Sequence, residues 1–491
     1  MNKLYYGDNL QVLRDFVLSE SVDLVYLDPP FNSNRDYNVI FRKKDGGDKR
    51  AQIQAFTDTW TWTQESERLY QDIVSGGLPL QVADTIESMH RILGENNLLA
   101  YLVMMAPRLV ELRRVLKPSG TLYLHCDPTA SHYLKLLLDS TFGPEAFANE
   151  IVWAYKYGGR SKQAFGQKHD IIFRYAGKGA TFNSADPRVR VPHEEASLKL
   201  NFRHVDEDGR RYREGKWSNG KTYRYYADEG RLRDDVITDI NSLHQADKER
   251  LGYPTQKPKA LLELLISASS NPGDVVLDPF CGCGTAVDAA QALGREWVGI
   301  DVSYLAVDLI DKRLQHTYGE AIASTYDIVG IPRDLDGARA LFAHNPFDFE
   351  RWAVSLVYGQ PNEKQVGDKG IDGIIRFHTG RTTERMIVSV KGGKNLTAAM
   401  VRELKGTVET QKAAMGIIVT LEPPTRGMID AVQHSGIYTM PSNGQQFPLV
   451  QAITVEELLA GKRPDMPPPL MPYTQAQRHR AAEPEQGTMF A

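Results

Sequence analysis

The chain has 491 residues, 58 of them basic and 62 acidic, for a formal net charge of −4; 42% are hydrophobic and 24% charged. This balance is ordinary for a soluble globular protein, and it excludes a generally basic nucleic-acid binder, so any DNA surface must be local. No apolar run nears the ~18 residues that span a bilayer, and three cysteines are too few for a disulfide framework or a four-cysteine zinc site. The amino terminus carries no signal-peptide pattern, so a reducing cytoplasm and no membrane contact are expected. At ~150 residues per domain the length predicts roughly three units.

In chain order, Leu4-Tyr5-Tyr6 reads as a short strand ending at Gly7-Asp8, with a helix after it. The apolar run from Val22 to Leu27 reads as a buried strand leading into Asp28-Pro29-Pro30-Phe31. Residues 32–95 form a polar insertion, in which Arg42 to Gly47 resembles a mobile loop and Phe56, Trp60 and Trp62 cluster beyond it, placed to close over a substrate. Leu102, Met105, Leu109 and Leu112 keep helical spacing, with a kink or restart expected at Pro107. Strands are expected at 121–125, 151–153 and 171–173. Residues 178–250 lose apolar periodicity and gain Arg, Tyr and Gly. Order returns at Tyr253-Pro254-Thr255-Gln256-Lys257-Pro258, before a helix carrying Leu261, Leu262, Leu265 and Ile266.

A second strand, Val275-Val276-Leu277, leads into Asp278-Pro279-Phe280-Cys281-Gly282-Cys283-Gly284-Thr285 and a helix. Gly282 and Gly284 let backbone approach a ligand closely, and Cys281 and Cys283 read as small residues beside that loop. Asp301 follows 17 residues after Gly284, at the end of Trp297-Val298-Gly299-Ile300. An acid so placed binds ribose hydroxyls in nucleotide-type folds. A dinucleotide-binding dehydrogenase competes for this pattern. The loop lacks the full Gly-x-Gly-x-x-Gly, however, and that reading leaves Asp28 and Thr255 to Pro258 unexplained.

Together the Asp28 and Asp278 motifs resemble the DNA amino-methyltransferases, in the permuted subgroup whose catalytic half precedes its cofactor half. The resemblance covers residues 1–318. It implies a Rossmann-like α/β sheet, S-adenosylmethionine as cofactor, double-stranded DNA as partner, a homodimer in many members, and residues 178–250 as the inserted target-recognition region. Asp28 and the Pro29 carbonyl would accept the two hydrogens of an exocyclic amine, Pro30 would complete the turn, and Phe31 would stack on the extruded base. Asp278 would hold the methionine amino group, Asp301 the ribose, Asp8 the adenine amine, and Phe280 would pack beneath the cofactor, with Gly282, Gly284 and Thr285 forming the loop. Asp in the first catalytic position points to N6 of adenine, with N4 of cytosine as the alternative.

Five basic residues against one acid lie between Lys156 and Arg174, and nine against six between Arg203 and Arg233, both interleaved with aromatics. Such mixtures suit phosphate neutralisation and base stacking, although a solvated hairpin face also fits the second. His169 and Asp170, at a strand start, would contact base or phosphate, or else satisfy a strand-end hydrogen bond.

Residues 319–345 read as a connector, 346–462 as a second, smaller α/β unit, and 463–491 as a disordered tail. The helix from Phe347, the Gly370-Ile371-Asp372 segment and the strand Met386 to Lys391 resemble the restriction-endonuclease-like fold of the Mrr type. That resemblance implies Mg²⁺ held by Asp372 and Glu350, with Lys391 orienting water. Ser389 departs from it, standing where an acid or amide is usual, so either Glu350 or Asp368 completes the site or the fold binds DNA without cutting. Lys391, Lys394, Arg402 and Lys405 would contact phosphate in both cases. No Gly-Lys-Ser/Thr phosphate loop is present, hence no ATP motor is expected. Four readings remain: a DNA amino-methyltransferase, adenine-directed, fused to an endonuclease-like domain in a restriction-modification or defence setting; an enzyme whose main act is cleavage, with methylation protecting host sites; a methyltransferase with a non-hydrolytic targeting module; and a methyltransferase acting on RNA or protein.

Overall fold

Alternation along the central strands decides the architecture. In the computed structural model, Leu24 and Tyr26 enter one apolar core while Val25 and Leu27 enter another. A strand buried on both faces needs helices on each side of its sheet. The structure describes residues 2–30, 61–156, 163, 165–216, 220–244, 247, 249–251, 255–362, 370–380 and 382–470, with backbone alone for 35–41, 51–58 and Leu305. Phe31, residues 42–47, the Phe56 side chain, Trp60, Asp368 and residues 471–491 lie outside that set.

The main sheet contains β1 (Asn2–Tyr6), β2 (Val22–Leu27), β3 (Leu116–Cys126), β4 (Phe147–Ala154), β5 (His169–Ala176), β6 (Val236–Ile237), β7 (Val275–Asp278), β8 (Glu296–Asp301) and β9 (Tyr326–Val329). Among the described residues these lie in the order β6-β4-β5-β3-β2-β7-β8-β1-β9. All neighbours are parallel except β5, which runs antiparallel to both β3 and β4. On one face pack α1 (Asn9–Phe16) and α2 (Asn97–Val115). On the other pack α3 (Lys259–Ser269), α4 (Thr285–Ala292) and α5 (Tyr304–Tyr318). The glycine-loop strand β7 therefore sits beside β2, its partner from the start of the chain.

Several expectations shift. The α2 helix runs unbroken through Pro107, which is buried among Val103, Ala106 and Leu109; packing on both sides holds the turn that the proline weakens. Residues 64–93 are no loose insertion, since Tyr70, Ile73, Val82, Ile86 and Met89 enter the first core. Beyond residue 318, Tyr326–Val329 adds a strand beside β1, with Tyr326 packed 5.5 Å from Trp297.

The second unit begins with α6 (Pro346–Leu356), whose Phe349, Trp352 and Ala353 are buried. Its five-stranded sheet runs β10 (Gln360–Pro361), β11 (Gly373–His378), β12 (Thr383–Lys391), β13 (Met415–Thr420) and β14 (Val450–Thr454) in spatial order. The α7 helix (Ala398–Thr410) covers the opposite face through Val401, Leu404 and Val408. Residues 463–470, expected in the disordered tail, are instead fixed along this unit. Leu470 N donates to Arg376 O at 2.9 Å, and Gln451 bonds both ways with the Asp465 backbone. The units meet where Tyr304 of α5 packs against the apolar core of the second unit and Lys312 Nζ sits 4.6 Å over the Tyr358 ring.

A buried ion pair ties the second helical layer together. Asp288 of α4 accepts from Arg313 Nη2 at 2.7 Å and Tyr318 OH at 2.6 Å, with Lys259 Nζ at 3.0 Å. Burial alone would raise the Asp288 carboxyl, but these partners outweigh it and hold it below its ordinary value. Removing one partner from such a pair strands a charge, so Asp288→Ala should lose about 3–5 kcal/mol of unfolding free energy in a urea titration. An unchanged midpoint would show that the pair contributes nothing.

Candidate active site

The parallel register sets Val276 opposite Leu24 and Leu277 opposite Val25, so Asp28 and Asp278 emerge side by side at the carboxyl ends of adjacent strands. Open α/β sheets form crevices there. The crevice is a cavity of about 360 Å³. From the early part of the chain Asp8, Asp28, Pro29 and Pro30 line it; from the later part Asp278, Phe280, Gly282, Thr285 and Asp301 do. Gly284 stands just behind, at φ +74°, where an added Cβ would come within 2.6 Å of Ile310 Cγ1. Tyr26, Arg108 and Lys257 also face the cavity.

The glycine loop is strapped by its own carboxylates. Asp301 Oδ2 accepts from Gly282 N and its Oδ1 from Ser303 N, each at 2.8 Å. Burial outweighs these two bonds and lifts the Asp301 carboxyl to about 6. Asp278 accepts from Phe280 N at 3.0 Å. It is raised well above the usual range by burial first, with the charges of Asp28 and Asp301 adding to the effect. Lys257 offsets part of that crowding: its Nζ lies 2.6 Å from Asp28 Oδ2.

Asp8 is more committed than its position after β1 implied. Its Oδ1 caps α1 by accepting from Leu10 N at 2.9 Å, and its Oδ2 pairs with Arg108 Nη2 at 2.5 Å. Arg108 also holds Asn9, which in turn donates to the Pro279 carbonyl at 2.8 Å and so braces the glycine loop. On the other side of Asp28, the Tyr26 hydroxyl lies 3.0 Å from His125 Nδ1, and His125 Nε2 lies 3.1 Å from Asp170 Oδ2. Tyr155 OH donates to Asp170 Oδ1 at 3.2 Å. Burial would raise Asp170, but its bond to His125, that residue's charge and the charge of Lys257 hold it below its usual value. Asp170 is thus tied into a buried chain reaching the cavity through Tyr26.

In the second unit, Asp372 Oδ2 accepts from Val390 N at 2.5 Å and Ser389 Oγ at 3.2 Å, with Lys391 Nζ at 3.8 Å. Glu350 sits on α6. No cluster of three His, Cys, Asp or Glu able to hold a metal occurs among the described residues, and Asp368, the alternative expected to complete the site, lies outside them. No helix among the described residues is long and apolar enough to cross a membrane.

The family model described as DNA methylase, of the N6/N4 methyltransferases, matches residues 22–312 and so takes in Asp28 and the glycine loop on the two sides of the cavity. The chain belongs to this DNA methylase family. Relatives include Type II methyltransferase M.EcaI of Enterobacter cloacae, 26% identical over 359 residues that span 64% of this chain and 69% of that one. M.HpaI of Haemophilus parainfluenzae is 29% identical over 227 residues, 46% of this chain and 63% of that one. DNA adenine methyltransferase YhdJ of Escherichia coli K12 is 24% identical over 314 residues, 63% of this chain and 82% of that one. A second family model, NACHT-associated inactive Restriction Endonuclease 1, matches residues 346–460.

The methylase cavity thus gathers residues that local patterns single out together with others that they do not. Lys257 lay in a noted segment without an assigned role. Arg108 carried no local signal, being 100 residues from Asp8.

Proposed function

We propose that the protein transfers a methyl group from S-adenosylmethionine to the exocyclic amine of a base extruded from double-stranded DNA, with N6 of adenine as the acceptor. The observation that carries this is the meeting of Asp28 with the glycine loop in one cavity. An exocyclic amine is a poor nucleophile because its lone pair is delocalised into the ring. Asp28 and the Pro29 carbonyl accept its two hydrogens and draw the nitrogen towards tetrahedral geometry; Phe31 stacks on the base. Aspartate rather than serine at position 28 favours adenine, and YhdJ, named an adenine methyltransferase, is among the relatives. The acceptor reaction takes place wherever the DNA is, in the cytoplasm.

The cavity fits the cofactor chemically. Its volume lies within the ~300–1,000 Å³ range of small-molecule sites. Gly282 and Gly284 keep side chains out of the loop, Asp301 accepts from ribose hydroxyls, Asp278 receives the ammonium, Phe280 packs alongside, and Thr285 opens the helix behind. Asp8, already paired with Arg108, orders the adenine end. When bound, S-adenosylmethionine supplies an electrophilic methyl on a sulfonium.

Residues 178–250 read the DNA in this proposal. The hairpin Arg211–Lys216 with Thr222–Tyr226 pairs Arg213 with Tyr225, guanidinium 4.9 Å from the ring centroid, and Tyr223 crosses Gly215, where a Cβ would strike its ring. Cations and rings presented on one ribbon suit a phosphate-lined groove.

For the second unit the favoured role is DNA binding without cleavage. Asp372 is engaged by its own strand neighbours, Ser389 replaces an acid, and the matched family model carries the word inactive. Incubated with unmethylated plasmid and Mg²⁺, the protein should leave the DNA supercoiled, while Lys394→Glu with Arg402→Glu weakens DNA affinity several-fold. Nicked or linear product, lost in Asp372→Ala, would restore the restriction-enzyme reading.

Single-molecule sequencing of DNA from a methylation-free host should show N6-methyladenine in one short sequence with the wild type and none with Asp28→Ala. N4-methylcytosine instead would correct the base, and no mark would remove DNA as the substrate. Because an ionised Asp301 accepts from the ribose more strongly than a protonated one and burial lifts its carboxyl to about 6, cofactor affinity should fall as pH drops below 6, by up to about tenfold per unit. Calorimetric affinities that stay flat from pH 7 to 5, or fall equally in Asp301→Asn, would count against that contact.

A further inference from the structure

The segment around Lys257 is built to present a cation to Asp28. Gln256 locks it from both sides: its Oε1 accepts from Leu251 N and its Nε2 donates to Glu249 O, each at 2.8 Å. Glu249 Oε1 in turn accepts from Lys259 N at 2.5 Å, and Lys259 reaches the buried Asp288. Lys257 Nζ, largely buried, then stands 2.6 Å from Asp28 Oδ2.

Among the described residues, the other groups ranged around Asp28 are neutral or acidic. Tyr26 lies on its own strand, Cys126 at the end of β3, Asp278 at the end of β7, and Asp170 at the start of β5. The charge of Asp28 pushes up Tyr26, Cys126 and Asp278, while Lys257 acts in the opposite direction on Asp278 and Asp170. A buried carboxylate among acids tends to take up a proton, and a protonated acid donates where the reaction needs an acceptor.

We infer that Lys257 is a positioning residue for methyl transfer: its ammonium holds Asp28 as a carboxylate through Oδ2 and leaves Oδ1 to the amine of the target base. This rests on the reading of Asp28 as the amine acceptor. In the transfer the nitrogen–methyl bond forms as the sulfur–methyl bond breaks, and the positive charge passes from sulfur to nitrogen. The amine proton passes to Asp28 Oδ1 and then to solvent, which restores the pair. Lys257 stays an ammonium throughout.

Wild-type methylation of DNA is measured first; its absence would overturn the underlying reading and this inference with it. Lys257→Met and Lys257→Arg are then made in the wild-type and Asp28→Asn backgrounds. In the wild-type background Lys257→Met should lower kcat by about 100-fold, leave S-adenosylmethionine affinity within about threefold, and move the acidic limb of the kcat profile up by about 1 unit or more. Lys257→Arg should recover most of the rate. In the Asp28→Asn background, where no charge needs holding, Lys257→Met should change little; where that background proves too slow to measure, the pH limb decides. A weakened cofactor affinity with unchanged kcat and limb would make Lys257 a cofactor contact and overturn the inference. So would equal losses in both backgrounds with an unshifted limb, the mark of a structural role.

Discussion

The pairing of β2 with β7 is the constraint on which the site depends. Asp23 and Val275 of these strands are 252 residues apart in sequence, and only the strands' adjacency brings Asp28 to the glycine loop. Register is pinned at the far end by Asp23, which accepts from Val275 N at 2.9 Å and holds Lys117 Nζ at 2.7 Å. A slip of one residue would turn every side chain of β2 to the opposite face and break both apolar cores, so burial enforces the alignment that the chemistry uses.

That adjacency concentrates negative charge. Asp28, Asp278 and Asp301 all line one partly enclosed cavity, where desolvation penalises ionised carboxylates. The protein answers with different partners for each. Backbone N–H groups hold Asp301 and Asp278, whereas Asp28 receives a lysine. Asp8 is removed from the competition by Arg108. A cationic cofactor suits a crevice so charged, and the same division gives each carboxylate a separate task.

What the sequence disclosed follows the range of the interactions. Asp28, the glycine loop and Asp301 were legible because each stands at the end of a short apolar run, a signal contained within a few neighbouring residues. The fold class followed from those runs and their order. Lys257, Arg108, Tyr26 and His125 were assigned no role, and Asp170 was read only as a base or phosphate contact or a strand-end hydrogen bond, because each acts through a partner some 45 to more than 200 residues away. Pro107 misled for the converse reason: its local cost is real, but burial on all sides outweighs it. The strand at Tyr326–Val329 and the ordered stretch to Leu470 were hidden because their pairing partners, β1 and β11, lie far away in sequence.

The central claim, that one crevice assembled from both ends of the methylase unit receives base and cofactor together, is tested most directly by a crystal structure of the ternary complex. The crystal would contain the protein, a non-transferring cofactor analogue and a duplex carrying the modified sequence. The account predicts an extruded adenine whose N6 lies within hydrogen-bond distance of Asp28 Oδ1 and the Pro29 carbonyl, with Lys257 still on Oδ2 and the analogue against Asp301. A base left stacked in the duplex, or bound away from Asp28, would contradict it.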